Sequence, residues 1–206
     1  MIKHYKFKTK PYDHQLVALE KSWAQKTYAL FMEMGTGKSK VLVDNIAMLY
    51  DRGAIKAAVI VAPKGVYKNW FDIEIPVHLP DHVEHTKVLW EPTNSKKKQL
   101  ELDTLFDGGT DLKILIINVE AFSTKKGLDF AHSFLNIFLG KALLGIDEST
   151  TIKNPTAKRT KSILKIGNLA SYRRILTGSP VTKSPLDLFS QCKFLDPYHL
   201  GYDSYY

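Results

Sequence analysis

The sequence predicts an α/β domain in which a mainly parallel β-sheet is covered by helices on both faces. Strand and helix patterns alternate along the 206 residues, and strand patterns such as AAVIVA and LKILII are continuously apolar. Strands of this kind are buried on both faces, as they are in parallel sheets. No repeat and no low-complexity linker interrupts the pattern, so we expect residues 1–206 to form a single domain.

Each element follows from a local pattern and from the residues that end it. Strands are predicted where apolar runs stop at Gly, Pro or a polar cluster, and helices where apolar residues recur every three or four positions. The predicted strands span 5–9, 28–33, 57–63, 86–90, 112–118, 142–147 and 173–178. The predicted helices span 11–24, 38–53, 65–75, 94–109, 127–139, 156–167 and 185–195. The strand at 5–9 depends on the alternation of apolar and basic residues in YKFKT.

Composition excludes several classes of protein. Hydrophobic residues make up 44% and charged residues 24% of the chain, and no run of about 18 apolar residues is present, so we expect no membrane span. The N-terminal MIKHYKFKTK lacks the apolar segment of a signal peptide. The single cysteine, Cys192, excludes an internal disulfide. Together these features favour a reducing, cytoplasmic setting.

The net charge of +8 is unevenly distributed along the chain. No Asp or Glu occurs between Glu148 and Asp187. The basic residues of that interval are Lys153, Lys158, Arg159, Lys161, Lys165, Arg173, Arg174 and Lys183. A surface for a phosphate backbone is the favoured interpretation, and a solvated basic face is the alternative.

The segment MGTGKS, residues 34–39, has the composition of a phosphate-binding loop. It follows a predicted strand and opens a predicted helix, as such a loop requires. Gly35 and Gly37 let backbone N–H groups turn toward phosphate oxygens. Lys38 would neutralise the β and γ phosphates, and Ser39 would offer its hydroxyl to Mg²⁺. Met32 replaces the first Gly of the usual pattern G-x-x-x-x-G-K-[ST]. This first Gly is the least specific residue of the pattern.

Two further motifs follow predicted strands. LLGIDEST delivers Asp147 and Glu148 to the carboxyl end of a strand, where ligands bind in open α/β sheets. Asp147 would hold Mg²⁺, and Glu148 would orient and deprotonate an attacking water. LTGSP places Thr177 and Ser179 where small hydroxylated side chains can bridge the acidic pair to the loops beneath it. In combination the motifs predict nucleotide hydrolysis.

In this order, the motifs resemble those of the first RecA-like lobe of superfamily 2 helicases and translocases, and in particular the SNF2 group. PYDHQ is similar to the Q motif, EMGTGKS to motif I and VAPKGVYKNWFDIEI to motif Ia. INVEAF resembles motif Ib/Ic, DEST with TIKNPTAKRTK resembles the SNF2 motif II region, and LTGSP resembles motif III. The resemblance covers nearly the whole chain and implies a RecA-like three-layer αβα fold of the P-loop NTPase class.

The resemblance also implies roles for individual residues. Gln15 would recognise adenine, with Tyr12 and His14 beside it. For Trp70, a core position on its predicted helix is favoured, and a position facing DNA is the alternative. ATP with Mg²⁺ would bind the loop formed by Met34, Gly35, Thr36, Gly37, Lys38 and Ser39. The backbone of duplex DNA would be contacted, without sequence specificity, by Lys64, Lys68, Asn69, Ser123, Thr124, Lys125, Lys153, Lys158 and Arg159.

The sequence departs from the family pattern in two places. Ser149 and Thr150 stand where the family has a residue followed by a His that links hydrolysis to the nucleic-acid side, so the coupling route is open. The second RecA-like lobe, with its arginine finger, is absent from the chain, and Arg173 and Arg174 do not replace it. We therefore expect nucleotide binding with weak hydrolysis, and a second lobe supplied by the same full-length protein or by another chain. Pro197 and the Tyr-rich tail resemble the approach to an interlobe linker, which favours a fragment.

Two alternatives stay open at this point. The lobe could belong to a single-strand DNA or RNA helicase or to a restriction-type motor. It could also be a nucleotide-switched module that only binds nucleic acid. A bacterial or phage setting is favoured because compact SNF2-like proteins occur there.

Overall fold

Six parallel strands form one sheet in the computed structural model, which describes residues 2–198 and 200–201. The strands are β1 (Thr27–Phe31), β2 (Ala57–Ala62), β3 (His85–Leu89), β4 (Leu112–Asn118), β5 (Ala142–Asp147) and β6 (Tyr172–Thr177). Their order in the sheet is β1-β6-β5-β2-β4-β3, and every neighbouring pair is parallel. The predicted α/β class with a mainly parallel sheet is confirmed.

Helices connect the strands. They are α1 (Asp13–Ser22), α2 (Lys38–Asp51), α3 (Tyr67–Asn69), α4 (Ile75–His78), α5 (Lys96–Asp103), α6 (Lys125–Ile137), α7 (Lys158–Gly167) and α8 (Phe189–Leu195). A π-helical turn, Trp70–Glu74, joins α3 to α4 where the sequence predicts one uninterrupted helix. A π turn inserts one residue into a helix and is frequent at functional sites. No helix in the described ranges is long and apolar enough to cross a membrane.

The sheet separates two hydrophobic cores. All six residues of β2 are buried, and they alternate between the two sides. Ile60 belongs to the core that contains Leu42 and Ile46 of α2, whereas Val59 belongs to the core that contains Phe134 of α6 and Ile163 of α7. Burying each of these side chains contributes about 1.5–3 kcal/mol, which explains why the apolar strand patterns locate the sheet so well.

The strand predicted at 5–9 is wrong, because this segment joins no ladder. Side chains hold it against α2 instead. The Tyr5 hydroxyl donates to Asp51 Oδ2 over 2.7 Å, and Lys40 Nζ donates to the Thr9 carbonyl over 2.9 Å. Tyr5 and Phe7 pack edge-on against one another at the border of the core. At the other end, the predicted tyrosine-rich linker lies at 202–206, outside the described residues.

Two of the basic residues assigned to a phosphate-binding surface are structural. Arg174 is fully buried and donates to Asn45 Oδ1 over 2.9 Å and to the carbonyls of Ser22 and Gln25 over 2.9 and 2.7 Å. Burial lowers the pKa of its guanidinium to about 10, which leaves it charged at neutral pH. Arg173 donates to the Phe194 carbonyl. Both arginines tie β6 to neighbouring helices and loops, so the basic interval is not a continuous surface.

Candidate nucleotide site

The strand order brings three predicted motifs to one edge of the sheet. β1, β6 and β5 are neighbours, with Phe31 opposite Thr177 and Asp147 opposite Leu176. Because the strands are parallel, their carboxyl ends lie together, where α/β sheets bind ligands. The phosphate loop follows β1, LTGSP follows β6, and Asp147 and Glu148 stand at the end of β5. The three motifs therefore converge although about 140 residues separate the first from the last.

The phosphate loop depends on two glycines with left-handed backbone. Gly35 has φ 76° and Gly37 has φ 78°, a region that residues with a Cβ rarely adopt. A Cβ on Gly37 would also lie 2.3 Å from the side-chain nitrogen of Gln15. Helix α2 begins directly afterwards at Lys38, so its free N–H groups and the positive end of its dipole face the loop. This local geometry suits an anionic ligand.

The Lys38 side chain is a buried ammonium that forms no ion pair with a described residue. It is 8% exposed, and its Nζ donates to the carbonyls of Met32 and Glu33, each over 3.0 Å. A buried charge is costly unless it is paired, so this position favours a phosphate group. The donor set thus fits the predicted nucleotide.

A cleft of about 440 Å³ opens beside Lys38. It is lined by residues of the phosphate loop and the start of α2, and by Asp147 and Glu148. The helical segment that contains the π turn and α4 contributes Trp70, Glu74 and His78. The cleft combines a cation, amide donors and two carboxylates, which is the set that Mg²⁺ and a polyphosphate require.

Both oxygens of the Asp147 carboxylate accept hydrogen bonds. The Trp70 indole Nε1 donates to Oδ2 over 2.9 Å, and the Glu148 backbone N–H donates to Oδ1 over 3.0 Å. Burial raises the pKa of Asp147, and the Trp70 bond opposes this rise by stabilising the charged form. Trp70 is 1% exposed, so its predicted core position is confirmed. Its bond to Asp147 was not predicted; the Asn-Trp pair of motif Ia was the available signal.

Glu148 has a strained backbone. With φ 47° and ψ 63° it is the one residue other than Gly with positive φ among those described. Such conformations cost about 1–3 kcal/mol and cluster at functional sites. Its Oε2 accepts from Thr177 Oγ1 over 3.3 Å, and the same Oγ1 accepts from the Ser179 N–H over 3.2 Å. LTGSP therefore contacts the acidic pair as expected, while the coupling role of Thr177 and Ser179 stays a prediction.

The Q-like segment contacts the phosphate loop. Gln15 is 4% exposed, and its Nε2 donates to the Thr36 carbonyl over 3.0 Å while its Oε1 accepts from the Tyr12 N–H over 3.0 Å. His14 Nε2 also lies 2.9 Å from the Thr36 carbonyl, and its ring stacks on Tyr12. Both ends of the Gln15 amide are thus engaged by the protein itself. Adenine recognition by Gln15, Tyr12 and His14 stays a prediction, since none of them lines the cleft.

The predicted nucleic-acid residues divide into three groups. Lys64, Thr124 and Lys125 follow the neighbouring strands β2 and β4 and line one groove of about 600 Å³. Asn69, by contrast, lines the nucleotide cleft, so its position does not support a DNA contact. The remaining positions are exposed or partly exposed, as a backbone-binding surface needs: Lys68, Ser123, Lys153, Lys158 and Arg159.

Three of these side chains have partners within the protein. Lys68 pairs with Glu91 over 3.5 Å, and Lys153 pairs with Asp187 over 3.5 Å. Arg159 Nε donates to the Thr151 carbonyl over 2.9 Å. Thr124 also acts locally, because its Oγ1 accepts from the Gly127 N–H and caps α6. A nucleic acid would therefore compete with existing contacts at these positions.

Known proteins of the SNF2 group are similar to this chain in sequence. The family model described as SNF2-related domain matches residues 14–206. Protein CHROMATIN REMODELING 24 of Arabidopsis thaliana is 27% identical over 209 residues, which cover 95% of this chain and 18% of the relative. Helicase-like transcription factor of Homo sapiens is 31% identical over 153 residues, which cover 68% of this chain and 13% of the relative. The chain thus spans less than a fifth of the length of these relatives.

A solved structure shares the fold. The SWI2/SNF2 ATPase core of Sulfolobus solfataricus, determined in complex with dsDNA, superposes with a TM-score of 0.74 at 21% identity. The match covers 98% of this chain and 38% of that core. The predicted RecA-like fold is therefore confirmed at the level of architecture.

Proposed function

Because the chain belongs to the SNF2-related domain family, we propose that it is the ATP-binding lobe of a SNF2-like ATPase that acts on duplex DNA. The observation that carries this proposal is the buried Lys38 ammonium, which forms no ion pair with a described residue and lies in the same cleft as Asp147 and Glu148. A basic, glycine-rich loop alone would suit many anions. Two carboxylates that line the cleft suit a metal-bound polyphosphate and its hydrolysis.

The proposed roles follow from position. Lys38 neutralises phosphate charge, and the amides of the phosphate loop cradle the phosphate oxygens. Ser39 and Asp147 are the ligands that would hold Mg²⁺, which supplies charge neutralisation when bound. Glu148 takes the proton of the attacking water, and Thr177 orients its carboxylate. Trp70 orients Asp147.

Hydrolysis by this lobe alone should be slow. In this class of enzyme an arginine that stabilises transition-state charge is worth about 10³–10⁵ in rate. Within the described residues, neither Arg173 nor Arg174 lines the cleft, because Arg173 donates to the Phe194 carbonyl and Arg174 to the Ser22 carbonyl. We propose that this arginine comes from a second RecA-like lobe and that the lone chain binds ATP with little turnover.

Duplex DNA is the proposed nucleic-acid partner. The structurally similar Sulfolobus solfataricus core was determined with dsDNA. On this chain the corresponding contacts would come from the carboxyl ends of β2 and β4, where Lys64 and Lys125 line one groove. Contacts of lysine with phosphates carry no sequence information and make binding depend on salt.

A pair of charge reversals tests the DNA face. Lys64→Glu with Lys125→Glu should weaken binding of a labelled duplex at least tenfold in fluorescence anisotropy and lower the salt slope by about two. Lys56→Glu with Lys141→Glu is the matched control, since both lysines are exposed and precede β2 and β5 at the opposite edge of the sheet. This control should keep duplex affinity within about threefold.

Two results would oppose the proposal. An equal loss in both variants would show that net charge alone drives binding. Tighter binding of single-stranded DNA or of RNA than of the duplex, by wild-type protein at equal salt, would favour the single-strand motor instead.

A further inference from the structure

A buried hydrogen bond joins the loop that follows Glu148 to helix α8. The Ser149 hydroxyl donates to Gln191 Oε1 over 2.6 Å, and both residues are fully buried. Ser149 directly follows the strained Glu148, and Gln191 lies in α8, 42 positions further along the chain. This Ser is also one of the two departures from the family pattern after the acidic pair.

Gln191 connects this loop to a third segment. Its Nε2 donates to the carbonyls of Pro180 and Asp187, each over 2.8 Å. All hydrogen-bonding positions of the amide N–H₂ are thus used, and Oε1 is used by Ser149. Ile152 and Phe194, each three positions from one of the two partners, are also buried. A hydrophobic pair would avoid the desolvation of two polar groups here, so the link needs a reason beyond core packing.

Residues 180–187, which include two carbonyls bound by Gln191, also hold the Lys153 side chain. Asp187 Oδ2 accepts from the N–H groups of Thr182 and Lys183, each over 2.8 Å, and pairs with Lys153 over 3.5 Å. These amide bonds keep the pKa of Asp187 well below its usual range, so its charge is permanent above acidic pH. Lys153 also contacts Thr182 Oγ1. A phosphate that takes Lys153 must compete with Asp187 and thereby perturb residues 180–187.

We propose that Ser149 and Gln191 are positioning residues that couple the nucleotide site to nucleic-acid binding. The route runs from Glu148 through Ser149 to Gln191, then through the backbone of Pro180 and Asp187 to Lys153. A second contact, from Thr177 Oγ1 to Glu148 Oε2, also joins Glu148 to the chain that leads to Pro180. The inference rests on the proposed function, because it requires that the chain bind both ATP and duplex DNA.

The test measures linkage rather than turnover. The dissociation constant of a labelled DNA duplex is determined by anisotropy without and with a saturating non-hydrolysable ATP analogue and Mg²⁺. The ratio of the two values is the coupling factor, which typically ranges from 5 to 150 in coupled sites. We expect a factor of about five or more for wild type. Ser149→Ala/Gln191→Met should reduce it to about one while each separate affinity stays within about twofold.

The single and double variants distinguish positioning from folding. Ser149→Ala alone leaves Gln191 Oε1 buried without a donor and should lower the melting temperature. Gln191→Met also removes the donor of the Pro180 and Asp187 carbonyls, so the double variant should melt lower still, and its coupling factor is measured at a temperature where it is folded. Thr86→Val is the control, because it removes a hydrogen bond to Asp111 at the far β3 edge and should leave the coupling factor unchanged.

Two outcomes overturn the inference while the proposed function stands. One is an unchanged coupling factor in the folded double variant. The other is a wild-type protein that binds both ligands with a factor of one. Failure of wild type to bind either the analogue or the duplex would overturn the proposed function itself, and this inference with it.

Discussion

The indole of Trp70 offers the sharpest test of how the carboxylates of the cleft are organised. Trp70→Phe removes the N–H that lies 2.9 Å from Asp147 Oδ2 while it keeps an aromatic ring in a position that is 1% exposed. Asp147 then keeps one fixed donor, the Glu148 N–H on its other oxygen. We expect Mg²⁺-dependent nucleotide binding to weaken and its pH dependence to shift.

The magnitude follows from the kind of bond that is lost. A hydrogen bond to a charged group contributes about 1.5–3 kcal/mol. Part of this loss is recovered by water at a site that opens on the cleft, so we expect the affinity for Mg²⁺ and nucleotide to fall about tenfold. The direction of the pH effect is set by the same bond, which opposes the rise in the pKa of Asp147 that burial causes. Without the bond the pKa rises further, and a proton competes with Mg²⁺ at higher pH than in wild type.

The assay is binding of a fluorescent ATP analogue titrated with Mg²⁺ at several pH values between about 5 and 8. The variant should lose Mg²⁺-dependent affinity at a higher pH than wild type, and binding measured in EDTA should change little. Trp90→Phe is the matched control, since Trp90 is also buried and follows β3, away from the cleft. Identical Mg²⁺ affinities and pH profiles for wild type and Trp70→Phe would refute the role of the indole.

Two further predictions concern stability. Burial raises the pKa of Asp44 to about 6 despite its ion pair with Lys40, so the folded state binds this proton more tightly than the unfolded chain. The free energy of unfolding should therefore fall as the pH rises from about 4 to about 6. In urea denaturation at several pH values, Asp44→Asn should show a smaller fall over this range than wild type. Equal falls in the variant and in wild type would contradict this prediction. Arg174→Met leaves Asn45 Oδ1 and the Ser22 and Gln25 carbonyls without their donor, and should cost at least about 4 kcal/mol or prevent folding. A loss below about 1 kcal/mol would contradict the structural role of Arg174.

The features that the sequence predicts well are those with a local signature. Apolar runs such as AAVIVA located β2 and its neighbours, because residues buried on both faces of a sheet must be apolar. MGTGKS and the Asp-Glu pair were located because loops at the carboxyl ends of strands carry ligand-binding residues. The strand order then explains why they meet, with β1, β6 and β5 side by side.

Long-range polar contacts carried no such signature. Trp70 and Asp147 are 77 positions apart, and Arg174 reaches Ser22 across 152 positions. No periodicity or spacing relates these residues, so the bond of Trp70 and the burial of Arg174 could not be derived from composition. The basic surface predicted for residues 149–186 could not be resolved from the sequence for the same reason. Charge density does not distinguish an exposed lysine from an arginine that ties a strand to its neighbours.

The strand predicted at 5–9 was wrong for a different reason. Alternation of apolar and basic residues over five positions is typical of a half-buried strand, yet it also suits a chain that packs aromatic rings on one side and solvates lysines on the other. Tyr5 and Phe7 pack at the core border, and side-chain bonds to α2 replace a β-ladder. A pattern this short does not determine which of the two structures forms.

The most direct test of the central claim is ATP binding and turnover by this 206-residue chain, with and without duplex DNA, beside Lys38→Ala. We predict that wild type binds ATP, that Lys38→Ala loses binding while it stays folded, and that turnover is negligible in both DNA conditions. Unchanged binding in Lys38→Ala would contradict the assignment of the phosphate loop. Robust DNA-stimulated turnover would contradict the requirement for a second lobe and would show that an arginine reaches the cleft from another copy of the chain.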